Sequence, residues 1–186
     1  MEDLYAALLR EIEEEFPGFR LIRKDHSASQ RAIDLLLKVF TLGGQREYLT
    51  CYQTTIGKTV YVCCDWDRLP AAQRYITMRH ERAHLRQFRR YTLPLMALLY
   101  IFVPFPVGLA WFRAKFEKEG YAETIRAAAE VHGLQHVTRP AYRDYVISQF
   151  TGGAYGWMWP FRRGLERWYD SVVATLYSAP GVGPLR

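Results

Sequence analysis

A run of twenty residues without one charged side chain, 93–112, constrains the fold of this chain more than any other feature. Its length would let a helix span a bilayer. Pro94, Pro104, Pro106 and Gly108 interrupt the run, however, and predict two short apolar arms that are each too short to cross a membrane. We therefore expect a buried helical hairpin, with peripheral membrane contact through 93–112 as the alternative.

Composition narrows the class of protein. The chain has 186 residues, of which 49% are hydrophobic and 24% charged, as expected for one folded domain with a core. A net charge of +6 permits anionic partners without requiring them, and nucleic acid is not expected. Three cysteines without a CxxC pair argue for a reducing compartment, and no secretory signal is recognisable, so we expect a cytoplasmic protein.

Hydrophobic periodicity predicts an α+β fold. An amphipathic helix is expected over 2–16 and another over 29–40, with strands at 19–23, 47–54 and 59–64, the last two forming a hairpin around Gly57. A long helix follows from about 71 to 91. The predicted single domain covers 1–178 and comprises an α+β part (1–91), the apolar hairpin (93–112), a helix (114–130) and a mostly helical part (140–178), before a flexible tail (179–186).

The segment His80-Glu81-Arg82-Ala83-His84 carries the clearest chemistry. On a helix the two histidines are about 40° apart, so both imidazoles can reach one metal ion. Glu81 lies beside them, where it can accept a proton from a water on an open coordination position of Zn²⁺ and later pass it to a leaving amine. Chance would produce roughly 0.01 such patterns in a chain of this composition.

A third ligand must come from elsewhere in the chain. Glu119 and Glu123 are four residues apart on one face of the 114–130 helix, so Glu119 could bind the metal while Glu123 braces a histidine. Glu117 lies about 200° from Glu119, so the two cannot both face the metal. Glu117, Glu123 and the later histidines, His132 and His136, remain alternatives.

The arrangement resembles the gluzincin metallopeptidases, in which HExxH is followed by a helix with a glutamate ligand. Residues 119–123 (EGYAE) are similar to the ExxAD element of the membrane-linked gluzincins, with glutamate in place of aspartate. Residues 54–67 and 79–87 also resemble small HExxH proteins of bacteria and phages. The resemblance implies a zincin-like fold, in which a small mixed or antiparallel sheet packs on the active-site helix. It also implies an edge strand that pairs with extended substrate, for which Thr59, Val60, Tyr61 and Val62 are the candidates.

The sequence thus predicts a zinc-dependent metallopeptidase that acts on peptide or protein substrates. Glu81 would be catalytic, His80, His84 and Glu119 would bind the metal, and Glu123 would support them. One alternative is a catalytically silent zinc protein with a structural or assembly role. Another is a basic module that binds nucleic acid or membranes, in which HExxH is accidental; Arg79, Arg82, Arg86 and Arg90 form a basic stripe away from the histidines.

Overall fold

The computed structural model describes residues 1–26, 53–97, 99, 110–152, 158–159 and 161–178. It confirms the α+β class, with mostly helical content and a small three-stranded mixed sheet. The chain divides into two compact units, Met1–Glu81 and Arg82–Arg186, and the single domain expected over 1–178 stays a prediction. The boundary falls inside one continuous helix, Ala71–Arg90.

The first unit begins with helix α1, Glu2–Glu15, as the periodicity predicts. Its buried face consists of Tyr5, Leu8 and Ile12, and Phe16 extends this face beyond the helix end. Gly18 follows with a φ of 86°, a left-handed conformation that favours glycine and turns the chain into the sheet. Trp66 Nε1 donates a buried hydrogen bond of 3.1 Å to Tyr5 Oη, which links α1 to the segment after the sheet.

The sheet has the order β1-β3-β2, with β1 at Arg20–Arg23, β2 at Thr54–Ile56 and β3 at Thr59–Val62. Strands β2 and β3 form an antiparallel hairpin, and Gly57 adopts a φ of 61° in the turn between them, as predicted. The first strand of the hairpin differs from the predicted 47–54, because β2 begins at Thr54 and residues 47–52 lie outside the described residues. Strand β1 pairs with β3 in parallel, so the sheet is mixed.

The prediction of an edge strand at 59–64 is wrong. Strand β3 is hydrogen-bonded on both sides, to β1 and to β2, and has no free edge for substrate. The burial of β3 fits this central position, because Thr59, Val60 and Val62 are 5%, 0% and 1% exposed and residues 59 and 60 point to opposite faces of the sheet. The substrate-binding role expected of Thr59, Val60, Tyr61 and Val62 therefore loses its structural basis.

Helix α2, Ala71–Arg90, starts directly after Pro70 and matches the long helix predicted for 71–91. It continues from the first unit into the second. Helix α3, Leu93–Ala97, opens the uncharged stretch. Most of the predicted apolar hairpin lies outside the described residues, as do the helix predicted for 29–40 and the tail 179–186. Within the described part of the chain, no helix is long and apolar enough to cross a bilayer.

The second unit is helical. Helix α4, Trp111–His132, extends beyond the predicted 114–130 and precedes three further helices, namely α5 at Leu134–Val137, α6 at Pro140–Thr151 and α7 at Arg162–Ser178. Helices α4 and α6 both pack against α7, whose buried face consists of Leu165, Tyr169, Val172 and Leu176. Tyr169 Oη donates a buried hydrogen bond of 2.6 Å to the Val137 carbonyl oxygen, which ties α7 to α5.

Candidate metal centre

Helix α2 presents His80 and His84 one turn apart on one face, as their spacing predicts. Together with Glu117 of α4 they form a cluster whose potential ligand atoms all lie within 4.8 Å of one another. Glu117 and His84 are 2% and 9% exposed. This group of two imidazoles and one carboxylate could hold a metal ion.

The distance between His84 and Glu117 fits two ligands of one ion. His84 Nε2 and Glu117 Oε1 are 3.8 Å apart, which is too far for a hydrogen bond. Two atoms that each bind a tetrahedral zinc ion at its usual bond length lie about 3.4 Å apart. A small inward movement of either side chain would therefore bring both atoms to coordination distance.

Glu117 occupies a position at which an apolar residue would be expected. It belongs to the buried stripe of α4 formed by Ala114, Glu117, Tyr121 and Ile125. Its Oε1 faces His84, whereas its Oε2 is buried and accepts no hydrogen bond from a described residue. A buried carboxylate beside two imidazoles offers the kind of donor atoms that bind a metal ion, so this position suits a metal ligand.

Gln87 holds the imidazole of His84 in one orientation. Its Nε2 donates to the Phe116 carbonyl oxygen and to Glu119 Oε2, both at 3.0 Å. Its Oε1 therefore faces His84 Nδ1, 2.9 Å away, and this nitrogen must carry the proton. The other ring nitrogen, Nε2, faces Glu117, so it is the atom of His84 that could bind a metal ion.

The structure brings Glu117, instead of the predicted Glu119, to the two histidines. Glu119 lies about 200° further around α4 and accepts the hydrogen bond from Gln87, so it supports His84 through that amide. Glu123, the predicted support, accepts a hydrogen bond of 2.7 Å from Arg126. The sequence did contain a signal for Glu117. Ala114, Tyr121 and Ile125 recur at helical spacing on one face of α4, and Glu117 is the charged residue that interrupts this otherwise apolar or aromatic face.

Glu81 is 5% exposed, and its Oε2 accepts a hydrogen bond of 2.6 Å from Thr55 Oγ1 on β2. Sequence reasoning identified Glu81 but missed Thr55 and Gln87. Gln87 could have been found, because it lies three residues after His84 on the same helix face. No local signal indicates Thr55, which reaches Glu81 only through the fold.

His132 and His136, the alternative metal ligands, contact other aromatic side chains. The rings of His132 and His136 are 4.9 Å apart, and His136 packs on Tyr142 with the centroids 4.7 Å apart. Burial lowers the pKa of His136, and the charges of His132 and Arg139 lower it further. Tyr169 Oη donates its hydrogen bond to the Val137 carbonyl oxygen, and burial raises the pKa of Tyr169 to about 12.

The donor set defines what the centre can do. Two imidazoles and one carboxylate leave a tetrahedral ion with one position for water or substrate, and Glu81 directly follows the first histidine. No family model, curated protein or solved structure matches this chain. The functional inference therefore rests on the residues of the site.

Proposed function

We propose that this protein is a zinc-dependent metallopeptidase of the gluzincin type with a zincin-like core. The observation that carries the proposal is the cluster of His80, His84 and Glu117, with Glu81 beside it on α2. The proposed ligand set keeps both predicted histidines and replaces Glu119 with Glu117.

The donor atoms favour zinc. Mg²⁺ and Ca²⁺ prefer shells made of oxygen atoms, whereas two imidazole nitrogens and one carboxylate match catalytic zinc sites. When bound, zinc polarises the substrate carbonyl and lowers the pKa of a water molecule towards neutrality. The remaining chemistry depends on side chains of the chain itself.

Glu81 acts as the general base and then as the general acid. Its carboxylate takes a proton from the attacking water and delivers it to the nitrogen of the leaving amine. Thr55 donates to Oε2 and holds the carboxylate in one orientation, which leaves Oε1 for the proton transfer. The hydrogen bonds from Glu119 through Gln87 to His84 fix the imidazole that binds the metal.

Zinc content, with a matched pair of variants, tests the proposal. The wild type should contain one zinc per chain by elemental analysis, and Glu117→Gln should lose it while circular dichroism shows a folded protein. Glu119→Gln is the matched control on the same helix and should retain zinc, because the amide oxygen of the new side chain can still accept the hydrogen bond from Gln87 Nε2. No zinc in the wild type after reconstitution would refute the proposal.

Turnover requires a second measurement. Zinc-loaded wild type should cleave a dye-quenched unstructured protein, and Glu81→Gln should bind zinc normally but be inactive. If wild type binds zinc yet cleaves none of a broad panel of unstructured proteins and peptides, the site belongs to the catalytically silent alternative.

A further inference from the structure

An open groove lies within the second unit, among α2, α4 and α7. Arg86 and Arg90 of α2 line it, together with Lys115, Lys118 and Arg126 of α4 and Trp168 of α7. Ala83 and Ala122 leave space between the helices because their side chains are small. The volume of about 610 Å³ is within the range of sites that bind small molecules.

The lining of the groove is strongly basic. It contains the five cationic side chains named above and two carboxylates, Glu119 and Glu123. Both carboxylates are already engaged, because Glu119 accepts a hydrogen bond from Gln87 and Glu123 pairs with Arg126 at 2.7 Å. The groove lining therefore has more positive than negative side chains, and the resulting potential would attract an anion.

The ammonium group of Lys118 is partly removed from water in this groove. Its Nζ lies 5.9 Å from the centre of the Trp168 ring, and burial lowers its pKa. Among the described residues, no carboxylate forms an ion pair with Lys115, Lys118 or Arg90. A bound anion would restore to the ammonium group of Lys118 part of the stabilisation that water no longer provides.

The groove and the metal cluster use different faces of the same two helices. On α2, Arg86 and Arg90 lie about 200° and 240° around the axis from His84. On α4, Arg126 lies about 180° from Glu117. A ligand in the groove would therefore not compete for the atoms that bind the metal.

We propose that this groove binds a small soluble anion that carries two or more phosphate groups. Several separated cations on two helices match a ligand with separated phosphates better than one with a single charge. The groove volume suits a phosphorylated small molecule, and all the lining residues belong to one unit. The site is distinct from the proposed catalytic centre.

Calorimetric titration with fructose 1,6-bisphosphate tests this inference. The double variant Lys115→Gln/Lys118→Gln should bind at least about tenfold more weakly than wild type, because it loses two charged contacts. The double variant Arg10→Gln/Arg163→Gln changes net charge equally at exposed positions outside the groove, and it should bind as wild type does. Equal losses in both variants, or no binding by wild type, would overturn the proposal.

Three further binding measurements distinguish this site from the zinc site, from a general anion site and from a lipid-binding surface. Glu117→Gln should bind the bisphosphate as wild type does, so that failure of the proposed zinc site and failure of the groove remain distinguishable. The tricarboxylate tricarballylate should bind weakly, and equal affinity would show that the groove does not select phosphate. Binding only to phosphatidylcholine vesicles that contain phosphatidic acid would assign the groove to a lipid surface and refute a soluble ligand.

Discussion

Thr55 Oγ1 donates a hydrogen bond of 2.6 Å to Glu81 Oε2, and this bond joins strand β2 to helix α2 within the first unit. The carboxylate is 5% exposed, so little solvent is available to replace the hydroxyl. The bond therefore holds in one orientation the group to which we assign proton transfer. Thr55 is a positioning residue, because it acts through Glu81.

Replacing Thr55 with valine should lower kcat by about 10- to 100-fold, as loss of a supporting hydrogen bond commonly does at metal sites. Zinc content should be unchanged, because Thr55 lies outside the proposed ligand set. Steady-state kinetics would measure kcat, and elemental analysis would measure the zinc content of the same preparations.

Thr55→Ser is the matched control, because it keeps the hydroxyl and removes only a methyl group. It should retain most of the wild-type kcat. Equal losses in Thr55→Ser and Thr55→Val would show that packing of the methyl group, and not the hydrogen bond, accounts for the effect.

Gln87→Leu should weaken zinc binding by about 10- to 100-fold, because His84 Nδ1 loses the acceptor that fixes its tautomer. Competition with a chromophoric chelator would give the zinc affinity. Gln149→Leu, a change of the same type at a half-buried position of α6 outside the metal cluster, should leave the affinity unchanged. An unchanged affinity in Gln87→Leu would mean that His84 is oriented by its packing alone.

Tyr5→Phe should reduce the free energy of unfolding by about 1–3 kcal/mol, because the indole N–H of Trp66 loses its acceptor in a buried place. Trp66 is 2% exposed, so water does not readily replace the phenol oxygen. Urea denaturation followed by circular dichroism would measure the change. Tyr177→Phe is the control, since Tyr177 is 65% exposed and should contribute little.

His136 should make the protein less stable in mild acid. Burial lowers its pKa below the ordinary value of 6.5, so the unfolded chain binds this proton more readily than the folded one. The free energy of unfolding should therefore fall as the pH drops through about 6.5.

Urea denaturation at about pH 7.5 and about pH 5.5, with a chelator present throughout, would isolate this contribution. His136→Gln should lose less stability between the two pH values than wild type does. If both proteins lose the same amount, other groups account for the acid sensitivity.

Local signals in the sequence were sufficient for most of the described helices. The apolar spacing over 2–16 predicted α1, and Pro70 marked the start of α2. Gly57 marked the turn of the hairpin, where its φ is positive. Each signal lies within a few residues of the element that it predicts. The spacing of His80 and His84 likewise fixed their common face, because a helix leaves little freedom over one turn.

Long-range relationships could not be predicted in the same way. The parallel pairing of β1 with β3 joins segments far apart in sequence, and it made β3 the central strand. The choice between Glu117 and Glu119 depended on which face of α4 packs inward. The resemblance to the ExxAD element favoured Glu119, whereas the apolar stripe through Ala114 and Tyr121 placed Glu117 on the buried face.

The burial of Glu117 also bears on how long the protein would persist in a cell. A carboxylate that is 2% exposed favours the folded state most when a cation neutralises it, so the zinc ion that we propose would contribute to folding as well as to chemistry. Chains made during zinc starvation would then open more often and be degraded sooner by cellular proteases. The abundance of the protein would follow the zinc supply without a dedicated sensor.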